Sequence, residues 1–255
     1  MASFSDPLRI MDYQGLLLKP LGFTFDGYKA VFRTRGLYTG YVNTLIYLTA
    51  GTSVNMVMTT LGAYALAQRG FMLRKAFMLM IVFTMYFSGG MIPNFILIRN
   101  LHMLNTRWAL IIPGAIGTWN MLILRTAFRA VPRGLTDAAI IDGANDMVIL
   151  LKIFVPVSKA TLAVIFLFYA VGHWNSWFNA MIYLPRAQNL YPLQLHLREV
   201  LIASNQAEMD VSAVDFTREL IKYCTTIVAS VPILCIYPFL QRYFVKGVMM
   251  GSLKE

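Results

Sequence analysis

Acidic residues are scarce in this sequence, and they are unevenly spread. The chain has 12 Asp and Glu residues against 22 Lys and Arg residues, and no carboxylate occurs between Asp26 and Asp137. Charged residues make up 13% of the 255 positions and hydrophobic residues 58%, whereas a soluble domain carries about 25% charge. This composition excludes an ordinary soluble domain and indicates an integral membrane protein.

Motifs of catalytic chemistry are also missing. The sequence has no GxxxxGK[ST] loop for ATP hydrolysis, no HExxH or GxSxG motif and no paired-cysteine metal spacing. Cys224 and Cys235 fall on one predicted helix about 16 Å apart, which is too far for a disulfide. Nothing in the sequence therefore predicts an enzyme or a bound metal.

Long apolar runs are what the sequence does contain. A helix needs about 20 mostly apolar residues to cross a bilayer, and suitable runs cover 40–67, 76–98, 108–128, 160–184 and 221–244. The sequence thus predicts an all-α integral membrane protein with five transmembrane helices. Gly89, Gly90 and Pro93 predict a break in the second run, either a simple kink or a functional opening. Asn43 and Asn55 are expected to face other helices, because amides in lipid need partners.

The distribution of charge narrows the function further. None of the five apolar runs contains a carboxylate, which disfavours proton relays and many ion-coupled carriers. The net charge of +10 comes from bases that mostly flank the runs, so membrane lipids are the predicted partner rather than nucleic acid.

A polar segment, residues 129–159, separates two of the apolar runs. Its charged residues are Asp137, Asp142, Asp146, Arg129, Arg133, Lys152 and Lys159. Pro132 and Thr136 predict a short helix over residues 135–144, with Gly143 permitting a turn at its end. From the residues alone, a solvated loop whose acids balance its bases is the favoured interpretation over a surface for a partner protein.

The order of residues in this segment resembles a known motif. Asp137-Ala138-Ala139, Asp142-Gly143-Ala144 and Ile153-Phe154-Val155-Pro156 resemble the EAA loop of ABC importer permeases, which reads EAA, a glycine four residues later, and then I-x-x-P. Asp137 stands where the family usually has Glu, a change that keeps the charge but shortens its reach.

The resemblance covers nearly the whole chain. The segments WALIIPGAIGTWNMLILRTAF and HWNSWFNAMIYL are similar to carbohydrate-uptake permeases of the maltose type. The segments YPLQLHLREVL and QRYFVKGVMMGSLKE look closer to a subgroup that serves complex or acidic oligosaccharides, such as alginate- or aldouronate-type importers.

The resemblance implies an ABC importer type I transmembrane fold and a subunit that moves oligosaccharides into the cytoplasm without covalent chemistry. It also implies a second permease subunit, an ABC ATPase dimer that binds ATP and magnesium, and an extracellular or periplasmic solute-binding protein. No cofactor is expected on this chain. Family members commonly have six spans, so five spans imply a permease core that lacks its first helix. The alternative function is an ATP-independent channel or facilitator.

The same resemblance predicts how the chain is laid out in a bacterial cytoplasmic (inner) membrane. Residues 1–39 form an extracytoplasmic lead-in with a short helix that opens near Asp26, and residues 40–255 form the transmembrane domain. Within that domain, 129–159 is a cytoplasmic coupling loop and 185–220 an outer segment that meets the solute-binding protein or only caps the surface. A cytoplasmic tail, 245–255, follows. Basic residues weakly favour an outside N-terminus.

Two sets of residues are expected to contact the ATPase. The coupling residues are Asp137, Ala138, Ala139, Asp142, Gly143, Ile153 and Pro156. The tail residues are Lys246, Gly247, Gly251 and Ser252, unless the tail is only a frayed terminus.

A third set is expected along the substrate path. It consists of Trp119, Asn120, His173, Trp174, Asn175, Trp177 and Asn179. Aromatic rings can stack on sugar faces while amides bind hydroxyls, and the pairs His173–Trp177 and Asn175–Asn179 have the i, i+4 spacing of one helix face. Interfacial anchoring and helix packing are the favoured alternative for these residues.

Overall fold

The computed structural model describes residues 1–6, 15, 19–33, 35–68, 70–207, 222–232, 234 and 235. These residues are helical or in turns, apart from one isolated antiparallel bridge between Ser5 and Phe23. They fall into two compact units. The first unit contains the described residues of Met1–Ile46 and Trp174–Pro238, and the second contains those of Tyr47–His173.

The helices are short and numerous. In chain order they are α1 (Asp26–Arg33), α2 (Arg35–Ile46), α3 (Thr52–Ala67), α4 (Arg74–Tyr86), α5 (Met91–Asn100), α6 (Trp108–Ile111), α7 (Thr118–Arg129), α8 (Arg133–Ile141), α9 (Asp146–Ile149), α10 (Val155–Val157), α11 (Lys159–Trp174), α12 (Phe178–Tyr183) and α13 (Leu193–Ala207). π-helical turns cover Tyr47–Gly51 and Leu150–Phe154, and 3-10 turns cover Ala2–Phe4 and Gln188–Leu190. Residues 222–232 are also helical.

The prediction of five single-helix spans is not confirmed. Within the described ranges, no helix meets the length and hydropathy needed to cross a bilayer by itself. Two bent pairs meet them jointly: α4 with α5, at 116°, and the helical stretch Asp146–Val157 with α11, at 86°. The all-α fold class is confirmed, whereas the number of spans is not.

The second predicted run breaks where its glycines and proline stand. Helix α4 ends at Tyr86 and α5 begins at Met91. Between them Gly90 has a φ of +85°, a conformation that costs glycine nothing and other residues a good deal. Pro93 falls in the first turn of α5, where its missing N–H loses no helical hydrogen bond. Two separate helices therefore replace the single kinked helix that was one of the two predictions.

The third predicted run is divided by Pro113, Gly114 and Gly117. Helix α6 ends at Ile111 and α7 begins at Thr118. The backbone N–H of Gly117 donates to the Tyr169 hydroxyl at 2.8 Å, and a Cβ at this position would lie 2.9 Å from the same oxygen. Only glycine allows this approach without displacing the tyrosine.

The core of the second unit forms where α3 packs on α7. Fully or nearly buried residues of α3, α7, α9, the π-turn and α11 make one cluster, which includes Tyr64, Leu66, Leu124, Phe128, Ile149, Leu150, Phe154 and Ile165. Asn55 lies 1% exposed and donates to the carbonyl of Gly114. The prediction that Asn55 faces other parts of the protein is confirmed.

In the first unit, polar contacts between side chains and backbone join α2 to the start of α13 and the loop before it. Helix α13 packs on α2, where the amide of Asn43 donates to the carbonyls of Asn189 at 2.7 Å and Tyr191 at 3.1 Å. The hydroxyl of Thr44 accepts from the backbone N–H of Leu193 at 2.9 Å. The expected inward placement of Asn43 is thus also confirmed, although its partners are loop carbonyls.

The predicted short helix near the N-terminus is present. Helix α1 begins at Asp26, whose backbone N–H donates to the Thr24 hydroxyl at 3.2 Å. The carboxylate of Asp26 accepts from that hydroxyl and from Lys29, and these contacts lower the pKa of Asp26, with Lys29 the larger cause.

Candidate functional site

Helix α8 is the centre of the polar segment 129–159. It spans Arg133–Ile141, so it begins two residues earlier and ends three residues earlier than predicted. Pro132, with φ −59° and ψ 133°, precedes the first helical residue. Proline suits this place, because it has no N–H to leave unpaired and the residue before a new helix is extended.

The C-terminal end of α8 is closed by a Schellman motif. Gly143 has a φ of +77°, and its N–H donates to the carbonyl of Ile140 at 3.0 Å. The N–H of Ala144 donates to the carbonyl of Ala139 at 2.9 Å. This pair of bonds satisfies the last carbonyls of the helix and requires a left-handed residue at the glycine position.

The surface of α8 is apolar and uncovered. None of its residues is buried, and Ile141 is 86% exposed, Ile140 58% and Leu135 46%. Burying a side chain of this size stabilises a protein by about 1.5–3 kcal/mol, so neighbouring exposed isoleucines are unusual on a surface that stays in water. Exposed apolar clusters of this kind mark interaction sites.

Two acids, Asp137 and Asp142, lie in α8 and directly after it. Asp137 lines a cleft of about 370 Å³ together with Gln68, Arg129 and Arg133. Among the described residues, neither the Asp137 nor the Asp142 carboxylate has an ion pair or hydrogen-bond partner. No described group therefore competes for these carboxylates with cations or amides from outside the chain. Ala138, in contrast, contributes only its small size and exposed position.

The chain after α8 is anchored in the core. The Asn145 side chain accepts from the N–H of Val148 at 2.9 Å and so caps α9. The Asp146 carboxylate accepts from the Tyr64 hydroxyl at 3.2 Å. The Phe154 ring packs edge-on against Tyr64 and Phe128, with centroids 5.1 and 5.4 Å apart.

The I-x-x-P part of the motif lies on this anchored stretch. Ile153 is half-buried and packs against the core cluster. Pro156 is exposed in α10, directly after the π-helical turn Leu150–Phe154. Proline in a helix clashes with the carbonyl four residues earlier, and the wider π-turn displaces that carbonyl.

The predicted shared faces of the fourth run are wrong. Helix α11 ends at Trp174, and residues 175–177 are not helical before α12 begins at Phe178. Consequently His173 and Trp177 are not neighbours on one helix, and neither are Asn175 and Asn179. Trp177 has φ −136° and ψ −37°, outside the helical region. A polar Asn-Ser pair in an apolar run was the signal for this break.

Two of the predicted substrate-path residues, His173 and Trp174, contact other side chains of the protein. The His173 Nε2 lies 2.7 Å from the Asn55 Oδ1. Trp174 is 4% exposed and meets Tyr41 edge-on, with ring centroids 6.4 Å apart. These contacts favour the packing interpretation for both residues.

The remaining path residues are more open. Trp119 is 65% exposed on the first turn of α7 and Asn120 beside it is half-buried. Asn175 and Asn179 are exposed. Their role along a substrate path stays a prediction.

Trp177 has a partner that the sequence did not suggest. The guanidinium carbon of Arg198 lies 3.6 Å from the centroid of the Trp177 ring, a cation–π contact. Arg198 belongs to α13, and 20 residues of loop and helix lie between it and Trp177 along the chain. No periodicity links the two positions.

Comparison with known proteins decides the family. No family model matches the chain. The polygalacturonan/rhamnogalacturonan transport system permease protein YtcP of Bacillus subtilis (strain 168) is 37% identical over 257 residues, which cover 99% of this chain and 89% of that protein. Protein LplC of the same organism is 37% identical over 238 residues, 92% of this chain and 80% of that protein. The chain belongs to the permease subunits of ABC sugar importers.

A solved structure supports the assignment to this permease family. The match is to the crystal structure of a bacterial ABC transporter involved in the import of the acidic polysaccharide alginate. It has a TM-score of 0.87 and 31% identity, and it covers 95% of this chain and 87% of that one. The predicted family and the ABC permease fold are confirmed.

Membership of the permease family fixes several properties of the chain. The subunit is an integral inner-membrane protein and a non-catalytic part of an importer, because ATP hydrolysis lies on a separate subunit. The alternative of an ATP-independent channel is not favoured. The predicted tail contacts Lys246, Gly247, Gly251 and Ser252 lie outside the described residues.

Proposed function

We propose that this permease subunit carries acidic oligosaccharides from a solute-binding protein on the outer side into the cytoplasm. YtcP is named for polygalacturonan and rhamnogalacturonan, and the solved importer for the acidic polysaccharide alginate. Both names point to substrates that contain uronic acids.

The partners follow from the family. A second permease subunit completes the translocation path, and an ABC ATPase dimer binds ATP and magnesium. The N-terminus lies outside, with residues 129–159 and 245–255 on the cytoplasmic side and residues 185–220 toward the solute-binding protein.

Helix α8 is the element that couples ATP hydrolysis to transport. When ATP closes the ATPase dimer, α8 moves with the subunit that it docks into, and the anchored stretch from Asn145 onward passes this movement to the core. The observation that carries the proposal is the apolar surface of α8, above all Ile141 at 86% exposure. Asp137 and Asp142, which have no ion pair with a described residue, add negative charge beside this surface.

The test is co-purification of the permease with its ATPase. Ile141→Asp is expected to reduce the recovered ATPase at least about tenfold, because a charge replaces an apolar contact that is buried on docking. Met72→Asp is the matched control, since Met72 is 92% exposed in the loop before α4, on the same predicted side. Equal recovery of the ATPase with Ile141→Asp and with the control would sink the proposal.

A further inference from the structure

A cavity of about 410 Å³ lies within the first unit. It is lined by α13, by the helical residues 222–232 and by the residue that precedes α12. Its polar lining consists of one indole, two cations and four neutral groups: Trp177, Gln194, Arg198, Lys222, Thr225, Thr226 and Ser230. No carboxylate belongs to the lining in the part of the chain that the structure describes.

The Arg198 guanidinium is held in place by Trp177, and no described carboxylate neutralises it. It stacks 3.6 Å above the centroid of Trp177 and has no ion pair with any described carboxylate. Stacking engages the flat face of a guanidinium and leaves the N–H groups at its edge free. Those N–H groups match the two oxygens of a carboxylate in a bidentate pair.

The neutral groups of the cavity are set up to bind hydroxyls. The Thr226 hydroxyl donates to the carbonyl of Lys222 at 2.9 Å, and the Ser230 hydroxyl donates to the carbonyl of Thr226 at 2.8 Å. Each hydroxyl has thereby used its proton within the helix and keeps lone pairs for an external donor. Gln194 offers both a donor and an acceptor.

We propose that this cavity binds a uronate residue of the transported oligosaccharide. The sugar carboxylate pairs with Arg198, Lys222 adds a second positive charge, and the sugar hydroxyls bind Gln194, Thr226 and Ser230. Trp177 fixes the direction of the guanidinium and so acts as a positioning residue. The inference rests on the proposed acidic substrate and deepens it, because it places charge selection in this subunit.

The test uses the assembled importer, with both permeases, the ATPase and the solute-binding protein, in liposomes. Trigalacturonate and its fully methyl-esterified form are supplied together, and the ratio of acid to ester uptake is measured. Since a hydrogen bond to a charged group contributes about 1.5–3 kcal/mol, Arg198→Gln is expected to lower this ratio roughly tenfold. Arg198→Lys keeps the charge but not the planar fork and should fall between.

The control is Arg99→Gln, the same change at an exposed arginine on the same predicted side but outside the cavity. It should leave the ratio within about twofold of the wild type. Recovery of the complex and its basal ATPase activity report assembly for every variant. If Arg198→Gln does not assemble, Lys222→Gln is measured instead, and an unchanged ratio there overturns the site.

The outcomes separate the site from the proposed function. A wild-type importer that takes up the ester as readily as the acid contradicts the acidic substrate, and the site fails with it. A wild type that prefers the acid, together with an Arg198→Gln variant that keeps this preference, overturns the site alone. Equal loss of both probes with Arg198→Gln assigns the Arg198–Trp177 pair a structural role and also overturns the site.

Discussion

The segment 129–159 and the predicted outer segment, which the structure describes over residues 185–207, are both polar interruptions of an apolar chain, yet they present different groups. Segment 129–159 is anchored by apolar and aromatic packing around Phe154 and exposes isoleucines, together with acids that have no ion pair among the described residues. The described part of the outer segment buries Leu193 and Leu195 and is joined by hydrogen bonds to Asn43 and Thr44. It contributes Arg198 to a cavity.

This contrast separates two kinds of recognition. An exposed apolar helix with a closed end suits a protein partner, because association buries area and excludes water. A concave site with an oriented cation suits a small anionic ligand, because a few directed polar groups provide the specificity. The difference between the two segments can be tested by changing four features one at a time. These are the aromatic anchor at Phe154, the turn at Gly143, the charge of Asp137 and the protonation of His196.

Removal of the aromatic anchor should have the largest effect. Phe154→Ala is expected to lower the free energy of unfolding by about 3–5 kcal/mol, because it deletes a side chain that is 6% exposed from the core cluster. Thermal unfolding of the detergent-solubilised importer measures this loss. Phe166→Ala is the control. Because Phe166 is 45% exposed, its truncation should lower the free energy of unfolding much less. Similar losses for both would contradict the anchoring role.

Substitution of Gly143, in the turn after α8, should have the second-largest effect. Gly143→Val is expected to reduce coupled uptake at least about tenfold, because a left-handed conformation costs a non-glycine residue about 1–2 kcal/mol and a β-branched one more. No atom within 4 Å would meet the new Cβ, so the backbone conformation alone is tested.

Gly143→Asn tolerates the left-handed region and should restore most of the uptake. Gly134→Ala, inside α8 with open space around its Cβ, should leave uptake unchanged. Full transport by Gly143→Val, measured with ATP hydrolysis in the same liposomes, would show that the turn does not matter.

The charge of α8 should have a smaller effect. Asp137→Asn is expected to lower substrate-stimulated ATP hydrolysis about threefold to tenfold, in keeping with one charged hydrogen bond of modest strength. Asp137→Glu restores the usual family residue and should match or exceed the wild type. If the Asp137→Asn importer hydrolyses ATP like the wild type while the Asp142→Asn importer does not, then Asp142 rather than Asp137 makes the charged contact with the ATPase.

Protonation of His196, in the predicted outer segment, should have the smallest effect, which is a change of stability with pH. Burial lowers the pKa of His196, and Glu199, whose carboxylate lies 3.6 Å from its Nδ1, opposes this shift. An unfolded histidine has a pKa of about 6.5, so below that pH the unfolded chain binds the proton more readily and stability falls as the pH drops toward the native pKa.

His196→Gln should therefore flatten the loss of thermal stability between about pH 7 and pH 5. Glu199→Gln should enlarge that loss, since it removes the group that raises the pKa of His196. A wild type whose stability does not change over this range would contradict the linkage.

The parts of the structure that local chemistry determines could be predicted from the sequence. The helix of the polar segment, the turn at Gly143 and the inward amides of Asn43 and Asn55 follow from capping, from positive φ and from the need of buried amides for partners. The number of spans did not follow, because hydropathy averages over breaks such as residues 175–177. The Arg198–Trp177 contact could not be predicted either, because it depends on tertiary packing between two positions that no sequence periodicity links.

The junction between α8 and α9 has a mechanical consequence. Two hydrogen bonds close the end of α8 at Gly143 and Ala144, and Asn145 caps the next helix at once. Ile149, one turn further on, is 2% exposed in the core. Only residues 142–145 separate the two helices, and hydrogen bonds constrain them. We therefore expect a movement of α8 to displace Ile149 rather than to be absorbed by bending of the loop.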